Sequence, residues 1–431
     1  MRPAWRSSAR GALAATTAAV LAATVAACSP SESTTSAGTT QLTVWSWRTE
    51  DVAAYNRIFA EYTRTHPGVS VEFKAYKNTE YNTILQTGLT ESGGGPDIAQ
   101  LRAYGQLQPF VESGGLLSLD GKVDLAGFAP SVVASAKGKK DGKLYGVPAA
   151  VQTMQVFYNK KVFADRGIAV PTTWAQLTAA AEKLKAAGVT PFAATGKDNW
   201  MLPILHDTFA STRYGGAEFE SKVLAGKAKF TDPDYVASLQ VVQGLQPYLP
   251  KDVVGVSYTD AQLLFINERA AMFPGGSFEL GFFAKQNPDL QLGTFAVPPP
   301  PGAVLDSPVT PGWADMSFGV NARSAHQQQA VELVSWMATK EFGQRFTDEL
   351  KQISPVPGVA TGDPLLAEMR QAYERSPAPY LMLVDFRYGQ PTGTDLVADG
   401  IQQMLLGKTD AAGVAGSVQK GLAQWFSPLG G

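Results

Sequence analysis

Residues 41–75, QLTVWSWRTEDVAAYNRIFAEYTRTHPGVSVEFKA, decide the fold class. Leu42-Thr43-Val44-Trp45 is a short apolar run that reads as a strand. Tyr55, Ile58, Phe59 and Tyr62 follow at i, i+3, i+4 and i+7, one buried stripe of a helix over about 51–65. Pro67 disfavours helix at the residue before it, so His66-Pro67-Gly68 ends that helix. Val69, Val71, Phe73 and Ala75 then alternate with Ser70, Glu72 and Lys74, a strand pattern. Strand, helix, strand is the unit of a largely parallel sheet.

The same alternation continues downstream. Tyr81 to Thr90 reads as a helix, stopped by Ser92-Gly93-Gly94-Gly95-Pro96, and Asp97-Ile98-Ala99 opens another strand. Asp141-Gly142 is a turn before the strand Leu144 to Pro148, and Val151 to Tyr158 is a second strand-like run. Leu177, Ala180, Ala181 and Leu184 form a helical stripe after the start signal Pro171-Thr172-Thr173-Trp174. Ala270 to Phe273 is a strand that runs into Pro274-Gly275-Gly276. Pro298 to Pro301 is a rigid loop. Met316, Phe318 and Val320 alternate as a strand, and Ala330, Leu333, Val334 and Met337 mark a helix. Residues 362–425 read as helices with loops. The class is α/β throughout.

The amino-terminal stretch differs in kind. Arg2, Arg6 and Arg10 precede an uncharged small-residue run, Gly11 to Ala26, which ends in Val25-Ala26-Ala27-Cys28. The run is short and rich in Ala and Thr, which suits a secretory signal over residues 1–27 better than a spanning helix. Val-Ala-Ala-Cys resembles the lipobox of bacterial lipoproteins. That resemblance implies cleavage before Cys28 and lipid on its sulfur. Cys28 is the only cysteine, so no disulfide framework is available. Residues 28–40 are Ser, Thr, Gly and Ala-rich and are expected to be a disordered tether. Its dozen residues after Cys28 span about 20 Å on average.

About 390 residues follow, enough for two lobes. Without Arg2, Arg6 and Arg10, 33 basic residues stand against 38 acidic ones, net −5. No basic stripe argues for nucleic acid. His66, His206 and His326 are too few and too scattered for a zinc motif. Gly-x-Ser-x-Gly and phosphate-loop motifs are missing. No cofactor is expected.

Several segments, in order, resemble the extracellular solute-binding family of carbohydrate ABC importers, the maltose-binding-like group. They are Leu42 to Trp47, Gly94-Gly95-Pro96-Asp97-Ile98, Asp141 to Pro148, and Phe157 to Phe163 running into Pro171 to Trp174. Arg269 to Met272, Gly275-Gly276-Ser277-Phe278 and the unit from Phe318 to Phe346 complete the set. The resemblance implies a two-lobed periplasmic-binding-protein-like α/β fold with a hinge and an interlobe ligand cleft. The lobes implied are 41–150 with 276–340, and 151–275 with 341–431. Crossings are expected near Pro148 to Val156, near Met272 to Gly276 and near residues 339–345. The resemblance further implies a monomer, outside the cell membrane and held to it through Cys28. Such a protein catches an uncharged sugar by hinge closure and hands it to the permease of an ABC importer, without altering it.

A sugar site needs aromatic platforms for ring faces and planar polar groups for hydroxyls. Open α/β sheets present such groups at the carboxyl ends of strands. Trp45 and Trp47 end the first strand; at least one is expected to face the cleft, with Arg48 nearby. Arg102, with Gln100 and Gln106, follows Pro96-Asp97. Tyr81 and Asn82 open a helix whose start is expected near the cleft. Gln152 is a polar residue on the first crossing, to be satisfied by ligand or by backbone. Trp200 opens a helix. Ser277 and Phe278 follow the second crossing; the family often has tryptophan near Phe278. Trp313 and Asp315 are placed in a loop before a strand. Asp385 and Arg387 lie in a Gly-containing loop of the second lobe. Trp174, Trp336 and Trp425 read as structural. Two other classes stay open: a secreted carbohydrate-active enzyme, were Asp315 and Asp385 to pair, and a binder of another solute such as a polyamine.

Overall fold

The computed structural model describes residues 39–90 and 94–430. The signal segment, Cys28 and the tether up to residue 38 lie outside the described residues. Thr40 opens the first strand rather than ending the tether.

Nine strands are present among the described residues: β1 (Thr40–Ser46), β2 (Val69–Ala75), β3 (Ile98–Arg102), β4 (Val147–Asn159), β5 (Thr190–Phe192), β6 (Ala270–Gly276), β7 (Leu292–Phe295), β8 (Thr310–Val320) and β9 (Pro377–Pro379). The main path through them is β2-β1-β3-β8-β4-β6-β5, with β7 on β4 and β9 on β8. Both partners of β1 are parallel to it, as the opening β-α-β unit requires. The sheet as a whole is mixed rather than largely parallel. β8 runs antiparallel to β3 and β4, and β4 runs antiparallel to β6 and β7. The reversals arise on the strands that carry the chain between the two halves.

Strand β4 is the first crossing. Its residues 147–153 pair with β8, and its residues 154–159 pair with β6 and β7. One strand therefore serves two cores. Leu42, Val44, Tyr55, Ile58, Phe59 and Tyr62 build the first, with Phe318 and Leu333. Val156, Leu177, Leu184, Phe209, Tyr235 and Val418 build the second. A third apolar group lies along the crossing, where Phe157, Phe265, Phe273 and Phe283 meet edge to face or tilted at 4.9 to 5.9 Å. Each such buried ring contributes roughly 2–3 kcal/mol of transfer free energy.

The other two crossings and the lobe limits differ from expectation. All of β6 stays with the second half, paired with β4 and β5. Helix Glu279–Gln286 and β7 remain there too, because Phe283 fills the Phe157–Phe273 cluster and β7 pairs with the far end of β4. The return therefore runs through the loop at 298–309 into β8. Helix Lys340–Leu350 belongs with the first half, since Phe342, Phe346 and Leu350 pack into the core that holds Tyr55. The last crossing follows it, where Ile353 bridges Val151.

Candidate ligand-binding cavity

A cavity of about 110 Å³, partly open to solvent, sits where the two halves meet. The first half contributes Trp47, Arg48, Asn78, Arg102, Ala103 and Gln106, all at or just beyond the carboxyl ends of strands β1, β2 and β3. The second half contributes Trp200, Ile204, Phe278, Tyr380, Leu383 and Arg387. Trp313 and Asp315 come from β8, which forms the floor between them. Those two residues were expected in a loop. They lie inside the strand because Gln152 pairs with Trp313, which extends the β4–β8 ladder.

Of the residues expected at the site, Trp47, Arg48, Arg102, Trp200, Phe278, Trp313, Asp315 and Arg387 line this cavity. Trp45 does not. Its ring packs on Tyr76 at 5.0 Å and covers Gly88, where a Cβ would stand 2.6 Å from the indole. Only Trp47, past the strand end, reaches the cavity. Tyr81 is fully buried, its hydroxyl donating to the carbonyls of Trp45 and Gln100 at 2.9 and 2.7 Å. Asn82 stands behind Arg102, accepting from its Nε at 3.2 Å. Gln100 is buried in the first core against Ser46, Tyr55 and Met316. Asp385 is half-buried and does not line the cavity, so no Asp315–Asp385 carboxylate pair is assembled across it.

Gln152 and Ser277 have a different task from direct lining. The Ser277 hydroxyl donates to Gln152 Oε1 at 2.6 Å and accepts from the Thr153 amide at 3.1 Å. Gln152 Nε2 donates to Asp315 Oδ2 at 3.2 Å and to Gln352 Oε1 at 2.9 Å. Every crossing therefore meets at one buried amide. Gln152 is satisfied by other side chains, which neither of the expected alternatives named, while the buried hydroxyl of Thr153 beside it has no partner among the described residues.

The cavity holds guanidinium groups in two kinds of setting. Arg48 is paired with Glu50 at 3.1 Å and Asp51 at 2.7 Å. Burial alone would pull it down, but these two carboxylates outweigh that and hold it well above its usual range. Arg102 lies over the Trp47 ring at 4.3 Å and donates to Asn78 and Asn82. Burial draws its guanidinium down to about 10. Arg387 donates its Nε to Thr394 Oγ1 at 2.6 Å, and burial lowers it as well. The turn at Tyr104–Gln106 approaches the Arg387 backbone so closely that a Cβ on Gly105 would lie 2.0 Å from the Arg387 carbonyl oxygen. That contact seats Arg387 beside the Arg102 end of the cavity.

Aromatic rings make up the rest. Trp313 packs on Tyr380 at 5.2 Å and on Phe278 at 6.3 Å, and its Nε1–H donates to Asp315 Oδ1 at 3.0 Å. Trp200 packs on Tyr258 at 5.0 Å. Gln106 Oε1 is buried with no partner among the described residues. Tyr380, Leu383, Ile204, Ala103 and Asn78 were not foreseen. Tyr380 and Leu383 are held in place by Asp207, whose Oδ2 accepts from the Leu381 amide at 2.8 Å. His206, which donates to Asp207 Oδ1 and shares a hydrogen bond with the Ser238 hydroxyl, is part of that buried brace.

Glu279 lies directly behind Phe278, fully buried. Tyr258 Oη–H and Gln262 Nε2–H donate to its two oxygens at 2.7 and 2.8 Å. Burial pushes its carboxyl from 4.5 up to about 7. Between these values the native chain keeps a proton that the unfolded chain releases. The stability from this group is thus full below about pH 4.5 and falls as pH rises to about 7. Glu279→Gln lacks that slope. In urea unfolding the variant is expected to gain on the parent as pH rises through this window, by at most about 3 kcal/mol above it. A difference independent of pH would contradict the assignment.

Two α/β halves joined by crossing strands, with an aromatic-walled cavity between them, define a hinged solute receptor. The chain belongs to the bacterial extracellular solute-binding protein family, whose model matches residues 45–344. Among curated relatives, the multiple sugar-binding protein of Streptococcus mutans is 28% identical over 315 residues, covering 69% of this chain and 70% of that one. Among solved structures, a chitin oligosaccharide binding protein superposes with a TM-score of 0.76 at 23% identity, covering 90% of this chain and 99% of that chain. The GacH receptor of Streptomyces glaucescens, solved unliganded and with acarbose, has a TM-score of 0.71 at 21% identity, covering 91% and 99%. Among the described residues no helix is long and apolar enough to cross a membrane, and no cluster of metal-ligating side chains occurs.

Proposed function

We propose that this protein captures a sugar or short oligosaccharide outside the cell and delivers it, chemically unchanged, to the permease of an ABC importer. One observation carries this: five aromatic side chains, Trp47, Trp200, Phe278, Trp313 and Tyr380, wall one cavity together with hydroxyl-seeking polar groups. Sugar ring faces fit the former and hydroxyl edges the latter. Gln106 Oε1, buried without a partner, is a ready acceptor for a hydroxyl. The sugars bound by the relatives agree with it. Ligand touching both halves favours the closed form, which the permease recognises. The receptor acts as a monomer and is held to the membrane by lipid on Cys28. Residues 1–27 are removed on export.

The decisive test is a thermal-shift screen of the purified protein against mono-, di- and oligosaccharides. A ligand that binds only the folded state raises the melting temperature. At least one sugar is expected to do so, and to be recovered intact. A sugar recovered hydrolysed would replace a receptor with an enzyme. For any sugar that binds, Trp47→Ala is expected to cost about ten-fold or more in affinity, with Trp45→Ala costing little. The reverse order would move the site. Fatty-acid labelling should tag the parent and spare Cys28→Ser.

A further inference from the structure

Two of the three cavity guanidiniums form no direct ion pair. Arg48 is neutralised by Glu50 and Asp51. Arg102 and Arg387 form no ion pair with any carboxylate among the described residues; their partners are the neutral Asn78, Asn82 and Thr394. The single carboxylate in the lining is Asp315, and its oxygens already accept from Trp313 Nε1 and Gln152 Nε2. Two cations against one anion leave the lining itself one positive charge in excess, which Asp395 behind Arg387 offsets only in part, from outside the lining. Each guanidinium retains N–H donors with no partner among the described residues.

We propose, resting on the sugar-capture reading above, that the guest is an acidic sugar whose one carboxylate is gripped by Arg102 from the first half and Arg387 from the second. A neutral sugar would offer hydroxyls to these donors, yet closure around it would bury the excess charge unbalanced. Burying an uncompensated charge is costly, whereas a guanidinium fork and a carboxylate match in shape and charge. A carboxylate supplies one negative charge, which suits a lining with at most one positive charge in excess. A phosphate ester supplies nearly two. The burial that already lowers both guanidiniums makes the same point, since an anion between them would restore their charged forms.

The arrangement also couples charge to closure. Arg102 and Arg387 repel each other, and they approach as the halves close. An empty receptor is thereby biased open, and the carboxylate converts the repulsion into two attractions. This departs from the uncharged guest expected from sequence.

The test compares matched pairs by calorimetry: glucuronate with glucose, galacturonate with galactose, and disaccharides with and without a terminal uronate. Glucose 6-phosphate serves as the dianionic control. In at least one pair the acid is expected to bind roughly ten-fold tighter or more than its neutral partner. Added sodium chloride should weaken the acid and leave the neutral sugar's binding nearly as it was. Arg387→Gln should bring the ratio of acid to neutral affinity close to one, which a merely structural role would not do. Were that variant unfolded, the ratio and salt response of the parent would decide alone. Neutral sugars binding as tightly as their acids, or the phosphate binding tighter than every uronate, would overturn this inference and leave sugar capture standing. Failure of every sugar, neutral and acidic, would overturn the sugar reading itself.

Discussion

Trp313→Ala is expected to weaken sugar binding by at least about a hundred-fold, close to 3 kcal/mol, the scale of a central aromatic hot spot. The ring is only 5% exposed and is boxed between Tyr380 and Phe278. It has two sides. One faces the cavity; the other borders a larger groove, of about 620 Å³, lined also by Tyr104, Ala314, Ile353 and Tyr373. Trp313 is thus a partition. Removing it deletes a platform for the sugar ring and joins the cavity to that groove, admitting water where polar contacts need a dry surround. It also releases Asp315 from the indole N–H, freeing a carboxylate to swing toward Arg102 or Arg387. Trp313→Phe separates these effects, because it keeps a ring and a partition but loses the donor. A loss of about ten-fold or less is expected there. Calorimetry with a sugar found by the thermal-shift screen, beside a urea melt of each variant, gives both affinity and integrity. An alanine variant that folds and binds within about three-fold of the parent would remove Trp313 from the site.

The fold was legible where local pattern sufficed. Tyr55, Ile58, Phe59 and Tyr62 repeat at helical spacing, and all four are buried. Thr173 and Gln176 close a capping box at the helix start expected there. The mixed sheet was not legible, because strand direction in β4 and β8 is fixed by a return across the molecule. Helix Lys340–Leu350 illustrates the same limit. Its stripe of Phe342, Phe346 and Leu350 is plain in sequence, but nothing local says which of two cores it covers.

The site follows the same rule. Residues at or beyond strand ends, such as Arg102 and Trp47, were found by residue type and position. Within a strand, side chains two apart share a face, so Trp45 and Trp47 were hard to separate. The structure resolves them because β1 stops at Ser46. Tyr380 and Leu383 carry no local signal; they reach the cavity through the contact of Asp207 with the Leu381 amide, across 174 residues of chain. Arg102 and Arg387 were each nominated from sequence. Their shared lack of a carboxylate became visible only with every neighbour in place.

Gln152→Leu is the second large effect. Its carboxamide is fully buried and joins Ser277, Asp315 and Gln352, so one side chain connects the ends and crossings of both halves. Leucine matches its size and offers no hydrogen bond. Ser277 Oγ–H loses its acceptor, Gln352 Oε1 loses a donor, and Asp315 Oδ2 loses the donor that faces it. A buried polar group left unsatisfied costs roughly 1–3 kcal/mol, more when charged. The expected destabilisation is therefore on the order of 3–5 kcal/mol. Gln152→Glu tests the same junction by charge. It retains an acceptor for Ser277 but sets a carboxylate beside Asp315 Oδ2, now at 3.2 Å from the amide nitrogen it would replace. Like charges at that separation raise the pKa of at least one partner. That variant should therefore be more stable in mild acid than at neutral pH, opposite to what loss of packing alone would give. Because Asp315 also holds Trp313, both substitutions are expected to lower sugar affinity although Gln152 lies outside the lining. A Gln152→Leu protein with the parent's unfolding midpoint and affinity would show that the crossings are held by their strand pairing alone, with the buried amide incidental to the hinge.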